Sequence, residues 1–162
     1  MPGQKTILVD DSGRVRLAGF VFATVTQNPN SVESTPPRNG YTPRWAAPEL
    51  LRGDERSEKV DIFSFAMVVI EVRCGRLSYM VFVAYCGFVS MQVFTGTVPF
   101  DNLTSFAALV AAVVNGKRPP RPTHPAFTEG LWALTQRCWD QDPHLRPEAS
   151  KVLQVLTLSV SH

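Results

Sequence analysis

The chain is expected to fold as a mainly α-helical domain carrying one small β-hairpin, and three features of its 162 residues predict this. Lys59-Val-Asp-Ile-Phe-Ser-Phe-Ala-Met-Val-Val-Ile-Glu71 is apolar nearly all round after its first turn. A helix without a polar face is buried on every side, so this segment predicts the axis of the fold. Three further segments in the second half are bounded by helix start and stop residues. Near the N-terminus, two short β-prone runs flank a turn.

The elements follow in chain order. Thr6–Val9 and Val15–Leu17 are joined by Asp10-Asp11-Ser12-Gly13, a hairpin signal. Thr24–Gly40 is polar, bears proline and has no apolar period. Loops of that length are functional or disordered. Ser57 predicts the N-cap of the central helix, with Glu58 in its first turn. Asn102–Asn115 predicts a second helix, closed by Gly116, the residue suited to a left-handed C-cap. Arg118-Pro-Pro-Arg-Pro122 predicts a stiff extended connector. Thr128 caps a third helix over Glu129–Trp139, stopped by Asp142-Pro143. Pro147 opens a fourth, running to about Leu158.

Composition narrows the function classes. The net charge is +2, and the excess is local. Arg73 and Arg76 lie in Val72–Gln92, which holds no acid, and elsewhere basic and acidic residues balance. No basic stripe predicts a nucleic-acid partner. The most apolar run, Met80–Val89, is far short of the roughly 20 residues of a membrane span. Three cysteines, Cys74, Cys86 and Cys138, form no metal-ligand spacing. Their odd number argues against a disulfide framework and for a reducing, intracellular, cytoplasmic location. The first residues have no signal-peptide pattern. His124, His144 and His162 have no nearby partners in the sequence, and Trp132 and Trp139 are expected in the core.

Several motifs then occur in a telling order. Tyr41-Thr-Pro-Arg-Trp-Ala-Ala-Pro-Glu49 resembles the end of a protein-kinase activation segment, with Ala47-Pro48-Glu49 as its Ala-Pro-Glu signature. Asp61-Ile-Phe-Ser-Phe65 resembles the start of the buried central helix of the kinase C-terminal lobe. Phe94–Phe100 resembles the loop after that helix. Cys138-Trp139, Asp142-Pro143 and Leu145-Arg146-Pro147 resemble the closing signature.

The resemblance is to the C-terminal lobe of eukaryotic protein kinases, nearer the tyrosine-kinase-like Ser/Thr branch. It implies a partial kinase domain over residues 1–162, entered at the end of the catalytic loop and without the N-terminal lobe. It also implies a buried ion pair between Glu49 and Arg146; losing one partner of such a pair costs about 3–5 kcal/mol. Asp61 is implied as an acceptor for catalytic-loop backbone, or is a first-turn acid favoured by the helix dipole; both can hold. Thr42, Arg44 and Trp45 are implied around the acceptor pocket, with the threonine favouring Ser/Thr over Tyr substrates. Ser31, Ser34 and Thr35 lie where activation-loop phosphorylation would fall, or are ordinary hydroxyls of a polar loop.

The family's chemistry uses Mg-ATP held by a Gly-rich loop, a strand lysine, a catalytic-loop aspartate and asparagine, and a metal-binding aspartate. Here Thr6 stands at the asparagine position and Gly19 at that of the metal aspartate, with Val21 after Phe20. No catalytic, nucleotide or metal residue is expected intact, so no cofactor is expected on this chain alone. Two functions remain: a Ser/Thr kinase domain by descent, truncated and inactive in this chain, or a pseudokinase-type module that binds protein partners.

One segment fits nothing in the resemblance. Removing Val72–Gln92 joins Val69-Ile-Glu71 to Val93-Phe-Thr-Gly96 as uninterrupted kinase sequence. Valine codons begin with GT and one glutamine codon is CAG, so the segment reads as a retained in-frame intron. The alternative is a genuine insertion.

Overall fold

The structure, a computed structural model, describes residues 7–12, 14–18, 20, 41–71, 98–123, 125 and 127–160. The chain divides into two units: one holds the N-terminal hairpin, the other the residues from Thr42 that form the helices.

In the first unit β1 (Ile7–Val9) pairs antiparallel with β2 (Val15–Leu17), Leu8 opposite Arg16. The turn is clamped by one carboxylate. Asp10 Oδ1 accepts from the Ser12 and Arg14 amides at 3.0 and 2.9 Å and from the Ser12 hydroxyl. Its Oδ2 accepts from Arg16 Nε at 2.8 Å. Hydrogen bonds from Ser12, Arg14 and Arg16 hold the Asp10 carboxyl well below the usual carboxylate range. Side chains that bond their own turn in this way give the backbone its reversal.

The second unit holds five α-helices among the described residues: α1 (Pro48–Arg52), α2 (Lys59–Glu71), α3 (Phe106–Val114), α4 (Glu129–Cys138) and α5 (Ala149–Val160). Two 3-10 turns, Pro43–Trp45 and Pro143–Leu145, precede α1 and α5. As its composition requires, α2 is the axis. Ile62, Phe63, Ala66, Met67, Val69 and Ile70 are buried, and α2 packs on α4 and on both 3-10 turns. Ser57 Oγ accepts from the Lys59 amide at 3.3 Å, closing its first turn.

The other boundaries follow from capping. The second helix starts at Phe106, later than the expected Asn102. Ser105 is its N-cap, its hydroxyl accepting from the Ala108 amide, and Asn102 and Leu103 belong to the preceding turn. Gly116 takes the left-handed φ of 80° that ends the helix. Thr128 accepts from the Leu131 amide at 3.2 Å and starts α4, whose last residue is Cys138, with Trp139 as C-cap. Trp139 is buried and meets Trp132 edge-on, ring centroids 5.5 Å apart, and Phe127 lies 6.0 Å from Trp132. Trp139 belongs to the core, as expected, and Trp132, partly buried, packs against it.

Cys138 is fully buried, and that burial pushes its thiol up to about 12. At pH 8 only about 10⁻⁴ of it is thiolate, the reactive form. In a chain whose Cys74 and Cys86 are replaced by serine, maleimide labelling of Cys138 is therefore expected to be limited by unfolding. A rate independent of denaturant would contradict this packing.

Candidate functional site

The residues singled out by motif converge on the starts of α1 and α2 and the end of α4. Pro48 sits in the first turn of α1, where its missing amide proton costs nothing. Glu49 follows it and is buried. The two oxygens of its carboxylate receive the two terminal nitrogens of Arg146, Oε1 at 2.5 Å and Oε2 at 2.8 Å. This fork joins residues 97 apart in sequence. Arg146 is 0% and Glu49 6% exposed at the side chain, so neither can fall back on water.

The rest of the Arg146 guanidinium is equally committed. It donates to the Asp140 carbonyl through Nε and to the Lys59 carbonyl, each at 2.9 Å. Lys59 reciprocates: its ammonium donates to the Arg146 carbonyl at 2.9 Å and pairs with Glu148. Arg146 also lies over the Phe63 ring, 5.1 Å from its centroid. Arg118 approaches the same ring at 5.0 Å, so one buried phenylalanine takes two guanidinium contacts. Arg118 donates to the Trp139 and Val113 carbonyls and to Gln141 Oε1, and Gln141 returns its amide to the Val114 carbonyl. Burial, followed by the nearby Arg146 charge, lowers the Arg118 pKa to about 10.

The turn Thr42–Trp45 lies immediately before this knot. Thr42 is exposed and its hydroxyl makes no capping bond. Trp45 is half-buried against the core, and its carbonyl accepts from the Ser64 hydroxyl at 2.9 Å. Arg44 turns its guanidinium onto three carbonyls of another turn, those of Pro99, Phe100 and Leu103.

Asp61 sits in the first turn of α2, only partly open to solvent. Among the described residues no donor reaches its carboxylate, and partial burial raises its carboxyl above the ordinary value of 3.8. A raised folded pKa favours the protonated carboxyl in the folded chain. Its stabilising contribution is thus whole below pH 3.8 and is lost as pH rises through the folded value. Asp61→Asn is expected to raise the melting temperature at pH 7 relative to the parent. At pH 3.5 the difference is expected to shrink. An Asn variant that is less stable at pH 7 would mean that this carboxylate has donors.

Thr6, Gly19, Ser31, Ser34, Thr35 and Val72–Gln92 lie outside the described residues. Among the described residues no group of three or more His, Cys, Asp or Glu could hold a metal, and no helix is long and apolar enough to cross a membrane. The magnesium site that the resemblance implies does not fit this donor set. Gly19 has no side-chain oxygen, and Thr6 offers a hydroxyl in place of a carboxamide.

Lys59, Phe63 and Arg118 were not singled out from the sequence. Arg118 reads there only as part of a proline-rich connector. The local signal that was available is its place two residues beyond Gly116, where a cation can reach the last carbonyls of a helix.

Comparison with known proteins decides the family. The model of the family described as "Protein tyrosine and serine/threonine kinase" matches residues 4–156. The chain belongs to this protein kinase family. It is 31% identical over 94% of its length to the dual specificity protein kinase pyk3 of Dictyostelium discoideum, of which it covers 9%. It is 32% identical over 93% of its length to the serine/threonine-protein kinase STY17 of Arabidopsis thaliana, covering 22%. The serine/threonine/tyrosine-protein kinase HT1 of Arabidopsis thaliana is 28% identical, with 32% covered. The chain thus spans under a third of each of these relatives. As a kinase-family sequence it places Ala47-Pro48-Glu49 against Leu145-Arg146-Pro147, with the Glu49–Arg146 fork as the physical joint between the two motifs.

Proposed function

We propose that residues 1–162 are the C-terminal-lobe part of a Ser/Thr protein kinase domain, interrupted at Val72–Gln92 and without phosphoryl-transfer activity as this polypeptide alone. The observation that carries the reading is the buried Glu49–Arg146 fork, which couples two family motifs in a chain whose metal-site position is Gly19. Glu49 and Arg146 are assigned the structural roles, Asp61 that of a first-turn acid at the start of α2, and Thr42, Arg44 and Trp45 the acceptor side of a substrate pocket. Thr42 favours serine and threonine acceptors. Ser31, Ser34 and Thr35 are assigned as phosphorylation sites. The partner is a protein, not a nucleic acid, and the location is the cytoplasm.

A second reading uses the same scaffold as a pseudokinase-type interaction module, and the lost carboxylate at Gly19 supports it directly. The two part at the transcript. A transcript encoding a Gly-rich loop and a strand lysine ahead of these residues supports the kinase-domain reading. Stable expression of this segment without them supports the module.

The same transcript tests the interruption. Splicing that removes the codons of Val72–Gln92 supports an intron, whereas transcripts that consistently retain them rule it out. At the protein level, deletion of Val72–Gln92 is expected to raise soluble yield. Met80–Val89 is an apolar run rich in β-formers, the composition of an aggregation-prone segment. Unchanged or lower yield would argue that these residues are an integral part of the domain.

A further inference from the structure

Phe100 is, among the described residues, the non-glycine residue with a left-handed backbone, φ 56°. Such a conformation is strained for a bulky side chain and persists only where its surroundings enforce it. Phe100 is also buried in the core, so its ring is held while its backbone turns. The enforcing group is Arg44. Arg44 Nη1 donates to the Pro99 carbonyl at 3.0 Å and to the Phe100 carbonyl, and Nη2 donates to the Leu103 carbonyl at 2.8 Å. Consecutive carbonyls in an extended chain point to opposite sides; the left-handed residue brings those of Pro99 and Phe100 to one guanidinium. Leu103 closes the turn by donating its amide to the Phe100 carbonyl at 2.9 Å.

We infer that Arg44 is a positioning residue: with Phe100 as its strained counterpart, it fixes the turn Thr42–Trp45 on the turn Pro99–Leu103 and thereby sets the shape of the acceptor side of the pocket. The pocket assignment rests on the kinase reading above; the coupling of Arg44 to Phe100 does not. A planar fork suits this task, since one rigid cation reaches three acceptors with a fixed angle between them. Lysine at 44 supplies one point of charge and holds fewer carbonyls.

The experiment is a double-variant cycle on the 162-residue chain with Arg44→Met and Phe100→Gly, read as melting temperature. Glycine at 100 removes the ring and also relieves the left-handed strain. Without Arg44 the backbone at 100 relaxes, so only the loss of the ring remains. Phe100→Gly is therefore expected to lower the melting temperature by about 2–4 °C more in the Arg44→Met chain than in the parent. Additive effects would overturn the coupling. Amide NMR separates positioning from general support. Arg44→Met is expected to shift the Thr42, Trp45 and Leu103 amides and leave the Trp139 indole unmoved, and Arg44→Lys to restore part of the shift. Movement confined to Pro99–Leu103, or shared equally by the Trp139 indole, would overturn the role at the pocket. Should Arg44→Met fail to fold, Arg44→Lys carries both readouts. A chain later shown to have no acceptor pocket leaves the cycle intact and removes only its functional meaning.

Discussion

Arg146→Met is expected to lower the stability of the helical unit by about 3–5 kcal/mol, because it strands the buried Glu49 carboxylate. For a chain of this size that is a fall of about 6–20 °C in melting temperature. The mechanism is specific. The Arg146 side chain is 0% exposed and satisfies the carboxylate of Glu49 and the carbonyls of Lys59 and Asp140. Methionine packs on Phe63 but donates nothing. Glu49→Gln is expected to cost less, since a carboxamide still accepts from the guanidinium. The double variant Glu49→Leu/Arg146→Met is expected to recover much of the loss, since neither charge is then buried alone. Thermal melts of the parent, Glu49→Leu, Arg146→Met and the double variant make the cycle, with Glu49→Gln as a separate comparison. Equal losses for the single and double variants would mean that the carbonyl contacts, not the ion pair, carry the stability.

The second large effect concerns nucleotide. A ligand present at about 100 times its dissociation constant stabilises the folded state by about 2.7 kcal/mol. In this chain that would appear as a rise of about 5–11 °C. With Gly19 proposed at the position of the metal carboxylate, millimolar Mg-ATP is expected to produce no shift in melting temperature. Each charge-stabilising group at a phosphoryl-transfer centre is worth around 10²–10⁵ in rate. Gly19→Asp alone is accordingly not expected to restore activity. A clear shift with Mg-ATP, absent with ATP in chelator, would show that a cation site survives elsewhere in the chain.

Much of the fold was legible locally. The α2 boundaries agree with the structure because an apolar segment with a serine cap leaves few alternatives, and Ser57 does cap it. Thr128 and Gly116 act where their chemistry predicts. The start of α3 was misplaced because the residues before Ser105 are held by a distant arginine and a left-handed phenylalanine. Nothing in the stretch Asp101–Thr104 announces that. The site shows the same division. Glu49 and Arg146 stand 97 residues apart, and no periodicity connects them; the family resemblance does. Lys59, Phe63 and Arg118 escaped because their roles are tertiary, with a ring and backbone carbonyls as partners. The hairpin turn was expected from Asp10–Gly13, yet two of the four bonds collected by the Asp10 carboxylate come from Arg14 and Arg16 beyond it.

The central proposal is a polypeptide with a kinase-family scaffold that does not hold the cation and the transferred phosphate. The direct measurement is label transfer from [γ-³²P]ATP to a serine- or threonine-containing protein substrate by the purified 162-residue chain, with Mg²⁺ or Mn²⁺. The predicted result is no incorporation above that of the heat-denatured chain. Incorporation that scales with chain concentration and persists through further purification would contradict it.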